Sequence, residues 1–287
     1  MDNYIFINGS LIAERKCKIP VSDRGFLYGD GVFETLRSYK GNLFVVKMHI
    51  SRLFKSLGFF SYKHDFNENY IIKSIKETLK ANHLSNSDAY IKIIVTRGNF
   101  SGDLGFDSKF KPNLIIITKT LTSYPEKFYR SGAKAITSTI RRTSSFNPIY
   151  RHKSINYLES IYAKNEAKKK KALEALFLTE DNIVLECATS NIFMEKDNRI
   201  YTPSLELNIL PGITRRIIIG LCRENNIDIV EEKIYYQNLL KADFLFLTNS
   251  IMEIMPVQSI DNSVFKEVSE SAIFKELAML YTRKTST

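Results

Sequence analysis

Four short segments of this 287-residue chain carry side chains that could do chemistry. In Arg151-His152-Lys153-Ser154-Ile155-Asn156-Tyr157-Leu158, an amine at Lys153 stands just before a helical pattern and a phenol donor at Tyr157 follows. In Val184-Leu185-Glu186-Cys187-Ala188-Thr189-Ser190-Asn191, a carboxylate ends an apolar strand and small polar residues follow it. In Ile209-Leu210-Pro211-Gly212-Ile213-Thr214-Arg215, Pro-Gly turns the chain into a helix whose first N–H groups and Thr214 hydroxyl could hold a phosphate. In Met48-His49-Ile50-Ser51-Arg52-Leu53, Arg52 falls on the polar face of a helix. Each has a plain structural reading: a surface lysine, a solvated strand-end carboxylate, a helix cap and a surface arginine. Together they describe one kind of pocket.

Other chemistry lacks its signatures. There is no GxxxxGK[ST], no GxGxxG after a strand, no HExxH and no GxSxG, which removes weight from kinases, nucleotide dehydrogenases and the commoner hydrolases. His49, His64, His83 and His152 lie far apart, so no metal site is expected. Cys17, Cys187 and Cys222 are odd in number and contain no CxxC pair, which fits reduced thiols rather than a disulfide framework or a zinc site.

The elements that must position these residues follow from periodicity. A hairpin opens the chain, with Tyr4-Ile5-Phe6-Ile7 and Leu11-Ile12-Ala13 joined by Asn8-Gly9, a pair suited to a type I′ turn. A second pairs residues 32–39 with 43–46 across Lys40-Gly41-Asn42. Helices are expected over 47–57 and after Asn67, with Ile71, Ile72, Ile75 and Leu79 inward, and strands over 89–96 and 113–118. The polar stretch 120–130 reads as a linker, giving an N-terminal domain of residues 1–120, a linker of 121–128 and a C-terminal domain of 129–287. Short strands at 134–140, 174–178, 183–186, 192–194, 227–230 and 244–247 are interrupted by helices at 155–168 and 213–224, and a last helix covers 269–280. No regular strand-helix alternation is present, so the expected fold class is α+β, two domains with sandwich-like or barrel-like sheets.

Composition agrees with an ordinary globular chain, 44% hydrophobic and 25% charged, with 12 Gly and 7 Pro. No apolar stretch approaches the length of a membrane helix and no basic-then-apolar leader opens the sequence, so a cytoplasmic protein without a membrane partner is expected. The 41 Lys and Arg exceed the 31 Asp and Glu, for a net charge of +10. The one dense run, Lys168 to Lys171, ends a helical pattern where lysines suit the negative end of the dipole, and no nucleic-acid motif accompanies it. Nucleic acid is therefore not an expected partner, and the basic surface could equally attract anionic metabolites.

In combination and in order, these blocks resemble the class IV aminotransferases, the pyridoxal-phosphate enzymes that include branched-chain and D-amino-acid aminotransferases and 4-amino-4-deoxychorismate lyase. The resemblance runs through Asp23-Arg24-Gly25-Phe26-Leu27-Tyr28-Gly29-Asp30-Gly31-Val32-Phe33-Glu34, the His49 to Leu53 helix, HKSINYL, ECATSNIF, LPGITR, and Leu247-Thr248-Asn249-Ser250-Ile251-Met252-Glu253-Ile254-Met255-Pro256-Val257. It implies an N-terminal α/β sandwich-like domain, a C-terminal barrel-like domain, and pyridoxal 5′-phosphate between them in a homodimer. It also implies roles. Lys153 forms the Schiff base with the cofactor and then shuttles the proton of the substrate Cα. Glu186 keeps the pyridine nitrogen protonated. Arg52, Ile213, Thr214 and Ser250 hold the phosphate, and Tyr157 bonds the ring's phenolic oxygen.

The resemblance leaves the amino-acid-like small-molecule substrate divided. Transaminases of this family usually carry small residues in the late turn, which line a site for the substrate carboxylate with amides. Here Asn249-Ser250-Ile251 looks more like the aminodeoxychorismate lyases, which release 4-aminobenzoate and pyruvate for folate synthesis. Against that, Val95-Thr96-Arg97-Gly98 is similar to the strand that supplies a carboxylate-binding arginine in D-amino-acid aminotransferases, and Gly102-Asp103-Leu104-Gly105-Phe106-Asp107 is similar to branched-chain-type members. The histidine of the D-enzymes is missing, since Asn99 and Phe100 stand there. The lyase is the lead expectation and amino-acid transamination the alternative, with Arg97, Tyr28 and Ile251 as the substrate-facing residues.

Overall fold

A computed structural model of the chain describes residues 2–99, 102, 104–106, 111–142 and 147–286. The chain divides into two compact units, residues 1–122 together with 152–157, and residues 123–151 together with 158–287.

In the first unit, β1 (Tyr4–Ile7) and β2 (Ser10–Ala13) form the opening hairpin, with Asn8 and Gly9 at φ of 48° and 95° as a primed turn requires. A short helix, α1 (Arg24–Tyr28), is capped by the Asp23 side chain, which accepts from the amides of Gly25 and Phe26. Then come β3 (Gly31–Tyr39), β4 (Asn42–Leu43), α2 (Val46–Phe59), α3 (Glu68–Ala81), β5 (Ala89–Thr96) and β6 (Asn113–Thr120). The sheet is antiparallel in the order β2-β1-β6-β5-β3-β4. The second expected hairpin is shorter on its return side. Val45, at φ 43°, turns the chain straight into α2 after only two paired residues.

Alternation decides which face is buried. Val32, Leu36, Ile91 and Ile93 point to one side and pack against Ile50, Leu53, Ile71 and Ile75 of α2 and α3. Phe33, Thr35, Lys92 and Ile94 point to the other, since register sets Phe33 opposite Ile94 and Thr35 opposite Lys92. Residues 152–157 belong to this unit because their backbone pairs with the start of β3: the Phe33 amide donates to the Lys153 carbonyl at 2.8 Å, and the Ile155 amide to the Gly31 carbonyl at 2.9 Å. That pairing corrects the expected helix over 155–168. The backbone of 153–155 is already spent on β3, so the helix starts only at Leu158.

The second unit contains α4 (Glu126–Ser131), β7 (Ala133–Arg141), α5 (Leu158–Lys169), β8 (Glu174–Leu178), β9 (Val184–Cys187), β10 (Asn191–Lys196) and β11 (Arg199–Pro203). It continues with α6 (Ile213–Glu224), β12 (Ile229–Glu232), α7 (Tyr236–Leu239), β13 (Phe244–Asn249), β14 (Glu253–Ile260), β15 (Ser263–Val264) and α8 (Ala272–Ser286). Its strands order as β12-β11-β10-β13-β14-β7-β8-β9, with β15 on β14, in a half-barrel. The expected linker, 121–128, runs into α4, a helix of six residues that starts after Pro125. Strands β11, β14 and β15 lie outside the segments in which a strand is expected. Every residue of β8 is buried, including Glu174, whose carboxylate is met by Lys164 at 3.2 Å and by the Thr189 hydroxyl. Among the described residues no helix is long and apolar enough to cross a membrane, and no cluster of His, Cys, Asp and Glu could hold a metal.

Candidate active site

The first unit gathers Lys153, Tyr157 and Arg52. Lys153 is half-buried, its Nζ 4.6 Å from the centre of the Phe33 ring and 5.7 Å from that of Tyr157. Tyr157 meets Phe33 edge to face at 5.4 Å. The strand pairing of 153–155 with β3 is what sets the lysine beside Phe33. Close approach is built in at Gly31, where a Cβ would stand 2.6 Å from Ile155 Cδ1. Beside it, His152 stacks on Phe59 at 4.1 Å and faces the Ser56 hydroxyl at 3.1 Å through Nδ1.

Arg52 is buried rather than on a solvated helix face. Its Nε donates to Glu34 Oε1 and its Nη2 to Glu34 Oε2, each at 2.7 Å, while His49 Nδ1 lies 2.7 Å from Oε2. Burial would raise the Glu34 carboxyl, but Arg52 and His49 outweigh it and hold the group down at about 2. Burial lowers His49 against the pull of Glu34. The sequence did hold a signal for this group: Glu34 sits at an inward position between Val32 and Leu36, where alternation puts apolar residues, and a charge there demands partners.

Arg97 is 2% exposed and is held within the first unit. Its Nε donates to Asp30 Oδ2 at 2.7 Å and its Nη2 to the Phe60 carbonyl at 3.0 Å, and its guanidinium lies over Tyr62 at 4.0 Å. Arg24 shares the same Asp30 oxygen at 2.8 Å. Burial would raise the Asp30 carboxyl, yet the two arginines keep it below its ordinary range. Tyr28 is exposed at the end of α1. Of the residues quoted for the D-type and branched-chain-type resemblance, Phe100, Asp103 and Asp107 lie outside the described residues.

The second unit gathers Glu186, Ile213, Thr214, Ser250 and Ile251. Glu186, buried at the end of β9, receives Arg142 Nη1 on Oε1 at 3.1 Å, and the Leu210 amide and Asn191 Nδ2 on Oε2 at 3.1 and 3.4 Å. These partners are all donors, which suits an ionised, acceptor-only carboxylate. Arg142 is itself flanked by Phe177 and Tyr150, at 3.7 and 4.5 Å, and paired to Glu159 at 3.0 Å. No sequence signal pointed to Arg142. Helix α6 opens with buried Ile213 and Thr214 after an N-cap, Gly212, that makes no side-chain capping bond. A Cβ on Gly212 would come within 2.0 Å of Asn191 Oδ1, so only glycine fits between that amide and the helix start. In the late turn, Asn249 Oδ1 accepts from the amides of Ile251 and Met252 at 2.9 and 2.7 Å, and its Nδ2 donates to the Thr189 carbonyl at 3.2 Å. Ser250 and Ile251 are half-buried.

This set fits pyridoxal phosphate on its own chemistry: an amine on aromatic faces for the aldehyde, an acceptor-only carboxylate for a ring N–H, and a helix start without a side-chain cap for a dianion.

Sequence and structure comparisons agree. The family described as Amino-transferase class IV matches residues 31–260. The chain is 38% identical over 277 residues to a protein of Methanocaldococcus jannaschii named, provisionally, a branched-chain-amino-acid aminotransferase, covering 95% of this chain and 93% of that one. It is 33% identical over 282 residues to the aminodeoxychorismate lyase of Bacillus subtilis, covering 98% and 94%. Its fold matches the branched-chain amino acid aminotransferase of Escherichia coli with a TM-score of 0.91 at 25% identity, over 99% of this chain and 94% of that one. The chain therefore belongs to the class IV aminotransferase family of pyridoxal-phosphate-dependent enzymes.

Proposed function

We propose that this enzyme is an aminodeoxychorismate lyase, releasing 4-aminobenzoate and pyruvate. The observation that carries the reading is the late turn. In Asn249-Ser250-Ile251-Met252, the turn whose counterpart in the transaminases lines a carboxylate site with amides, the amides of Ile251 and Met252 are already taken by Asn249 Oδ1. A substrate held by its carboxylate at that turn would have to displace the asparagine, so a substrate gripped elsewhere is favoured.

When bound, the cofactor supplies an electron sink that makes the substrate Cα–H acidic. Lys153 would hold the cofactor through its aldehyde carbon and, once the substrate amine has displaced it, would take the Cα proton on Nζ. Glu186, which accepts from Arg142 and two further donors, would hold a proton on the ring nitrogen. Ile213, Thr214, Ser250 and Arg52 would hold the phosphate, and Tyr157 would orient the ring by hydrogen-bonding its phenolic oxygen. With a leaving group at Cβ, loss of the Cα proton leads to elimination. Without one, Lys153 would return the proton to the cofactor, and hydrolysis by water would release a 2-oxo acid with the amino group left on the cofactor. Both outcomes use the same residues, so the substrate decides between them.

A homodimer is part of the proposal. Leu158, Ile161 and Tyr162 stand on one side of α5 at 72%, 59% and 53% exposure, an apolar stripe of the kind a second subunit covers. A cytoplasmic location completes the reading.

The test gives cofactor-loaded protein aminodeoxychorismate and measures 4-aminobenzoate and pyruvate together, with Lys153→Ala as control. Equal, Lys153-dependent release of both establishes the lyase. No release, with amino transfer from branched-chain or D-amino acids to a 2-oxo acid, establishes the transaminase instead.

A further inference from the structure

His152 stands directly before the lysine and has no part in the chemistry described above. Its half-buried ring stacks on Phe59 at 4.1 Å, inclined by 24°, and meets Phe60 edge-on at 5.2 Å. Its Nδ1 lies 3.1 Å from the hydroxyl oxygen of Ser56, a residue of α2 that is 3% exposed. That hydroxyl donates its one hydrogen to the Arg52 carbonyl, a helical turn back, at 3.2 Å. The hydrogen between ring and hydroxyl therefore comes from the imidazole: His152 carries it on Nδ1, and Ser56 passes the contact on to the main chain of Arg52. On its backbone side the His152 carbonyl accepts the Ser154 amide at 2.9 Å, closing a three-residue turn with Lys153 at its apex. Lys153 and Arg52 are thus joined by two routes. One runs from the Lys153 carbonyl to the Phe33 amide and, at the next residue of β3, from the Glu34 carboxylate to the guanidinium. The other runs from the imidazole through Ser56. The bonds of Lys153 and Ile155 to β3 define one edge, about which the segment can still tilt, and an attachment off that edge fixes its orientation.

We propose that His152 is a positioning residue: its bridge to Ser56 sets the spacing and angle between Lys153 and Arg52, the two side chains of this unit that take hold of different groups of the cofactor, its aldehyde carbon and its phosphate. The inference rests on the roles given to Lys153 and Arg52 under the proposed function. A ligand held at two points gains over either point alone only while the separation of the points matches its own, and the gain fades when that spacing wanders. Histidine supplies both parts of the attachment. Phenylalanine at this position would stack on Phe59 without a donor, and asparagine would place a donor near Nδ1 without a ring.

The experiment titrates the full-length apoprotein with pyridoxal 5′-phosphate and with pyridoxal, which keeps the aldehyde and lacks the phosphate, following the visible absorption band of the lysine-linked ring. In the wild type the phosphate tightens binding. His152→Leu is expected to cut that advantage about tenfold, with the affinity for pyridoxal changed by less than about twofold. Ser56→Ala breaks the same link at its middle while leaving the stack on Phe59, so it gives the same loss and carries the test alone should His152→Leu not fold. The double variant loses no more than either single one, because both changes cut one bridge. His152→Asn, which keeps a donor, retains more of the advantage than His152→Leu. Variants that keep the full advantage overturn the proposal. So do variants in which both ligands weaken by one factor, as a mere loosening of the fold would give, losses that add in the double variant, or a His152→Asn protein no better than His152→Leu. Failure of the underlying reading looks different: the wild type would bind the two ligands equally, or the visible band would persist in Lys153→Ala.

Discussion

Glu34 and Arg52 join β3 to α2 through two parallel hydrogen bonds, Nε to Oε1 and Nη2 to Oε2, both 2.7 Å long. The planar fork of arginine matches a carboxylate in this way and a lysine could not. The bonds fix the guanidinium plane, so Glu34 is a positioning residue for the arginine proposed to hold the phosphate. Glu34→Gln keeps the shape but leaves Arg52 a buried charge without its counter-ion, a loss of about 3–5 kcal/mol. The expected result is a clearly lower melting temperature of the apoprotein together with about tenfold or greater weakening of cofactor binding, measured by absorbance titration. A variant that melts and binds like the wild type would remove Glu34 from this role.

The same cluster makes the fold sensitive to acid. His49 is lowered from 6.5 in the folded chain, so folding favours its neutral form, and stability falls as pH drops below 6.5 and the unfolded histidine takes a proton. Glu34 is lowered from 4.5 to about 2, so its contribution is complete above 4.5 and is lost between there and 2. The two slopes have one sign. Denaturant melts across pH 8 to 3 should show stability declining first below about 6.5 and then more steeply below about 4.5. His49→Gln should flatten the upper limb and Glu34→Gln the lower one.

What the sequence made legible follows from where its signals are local. Asn8-Gly9 fixes a primed turn by itself, and Asn67 caps α3 through its own side chain, so both were readable from neighbours alone. The strand pairing of Lys153 and Ile155 with Gly31 and Phe33 joins residues about 120 positions apart, and the run Ile155–Lys168 carried a helical pattern that this non-local pairing cut short. The candidate residues named from motifs lie in both compact units, but their partners do not show in the sequence. Arg142 meets Glu186 across 44 positions, and nothing around Arg141-Arg142 marks it as more than basic surface. Arg97 lies on a strand similar to one that supplies a carboxylate-binding arginine, and its own partners, Asp30 on Nε and the Phe60 carbonyl on Nη2, are legible only in the structure.

Glu186→Gln is expected to damage chemistry more than binding. The amide can still accept one hydrogen bond at that position but carries no charge to hold a proton on the ring nitrogen. Turnover should fall on the order of a hundredfold while the cofactor dissociation constant changes by less than tenfold. Arg142→Met tests the next link outward. With its cation gone, the carboxylate is protonated more readily, so the acid limb of the rate profile should move to higher pH with the alkaline limb unchanged. An Arg142→Met profile that coincides with the wild type would show that the 3.1 Å contact does not tune Glu186.

Asn249 offers the sharpest test of how the late turn divides the two chemistries. Its Oδ1 takes the Ile251 and Met252 amides and its Nδ2 anchors the Thr189 carbonyl, so the turn is both ordered and closed by one side chain. Asn249→Gly removes the closing oxygen and leaves two N–H groups for an anion, at a stability cost of about 1–3 kcal/mol for the lost bonds. Amides freed in this way bind carboxylates with charge-assisted strength, so monocarboxylic amino acids should gain affinity. The expected outcome is a ratio of transamination to 4-aminobenzoate release that rises about tenfold or more, measured with both substrates on the same cofactor-loaded preparation. If the ratio stays fixed while the melting temperature drops, Asn249 only orders the turn, and the choice between elimination and transfer is made by other residues.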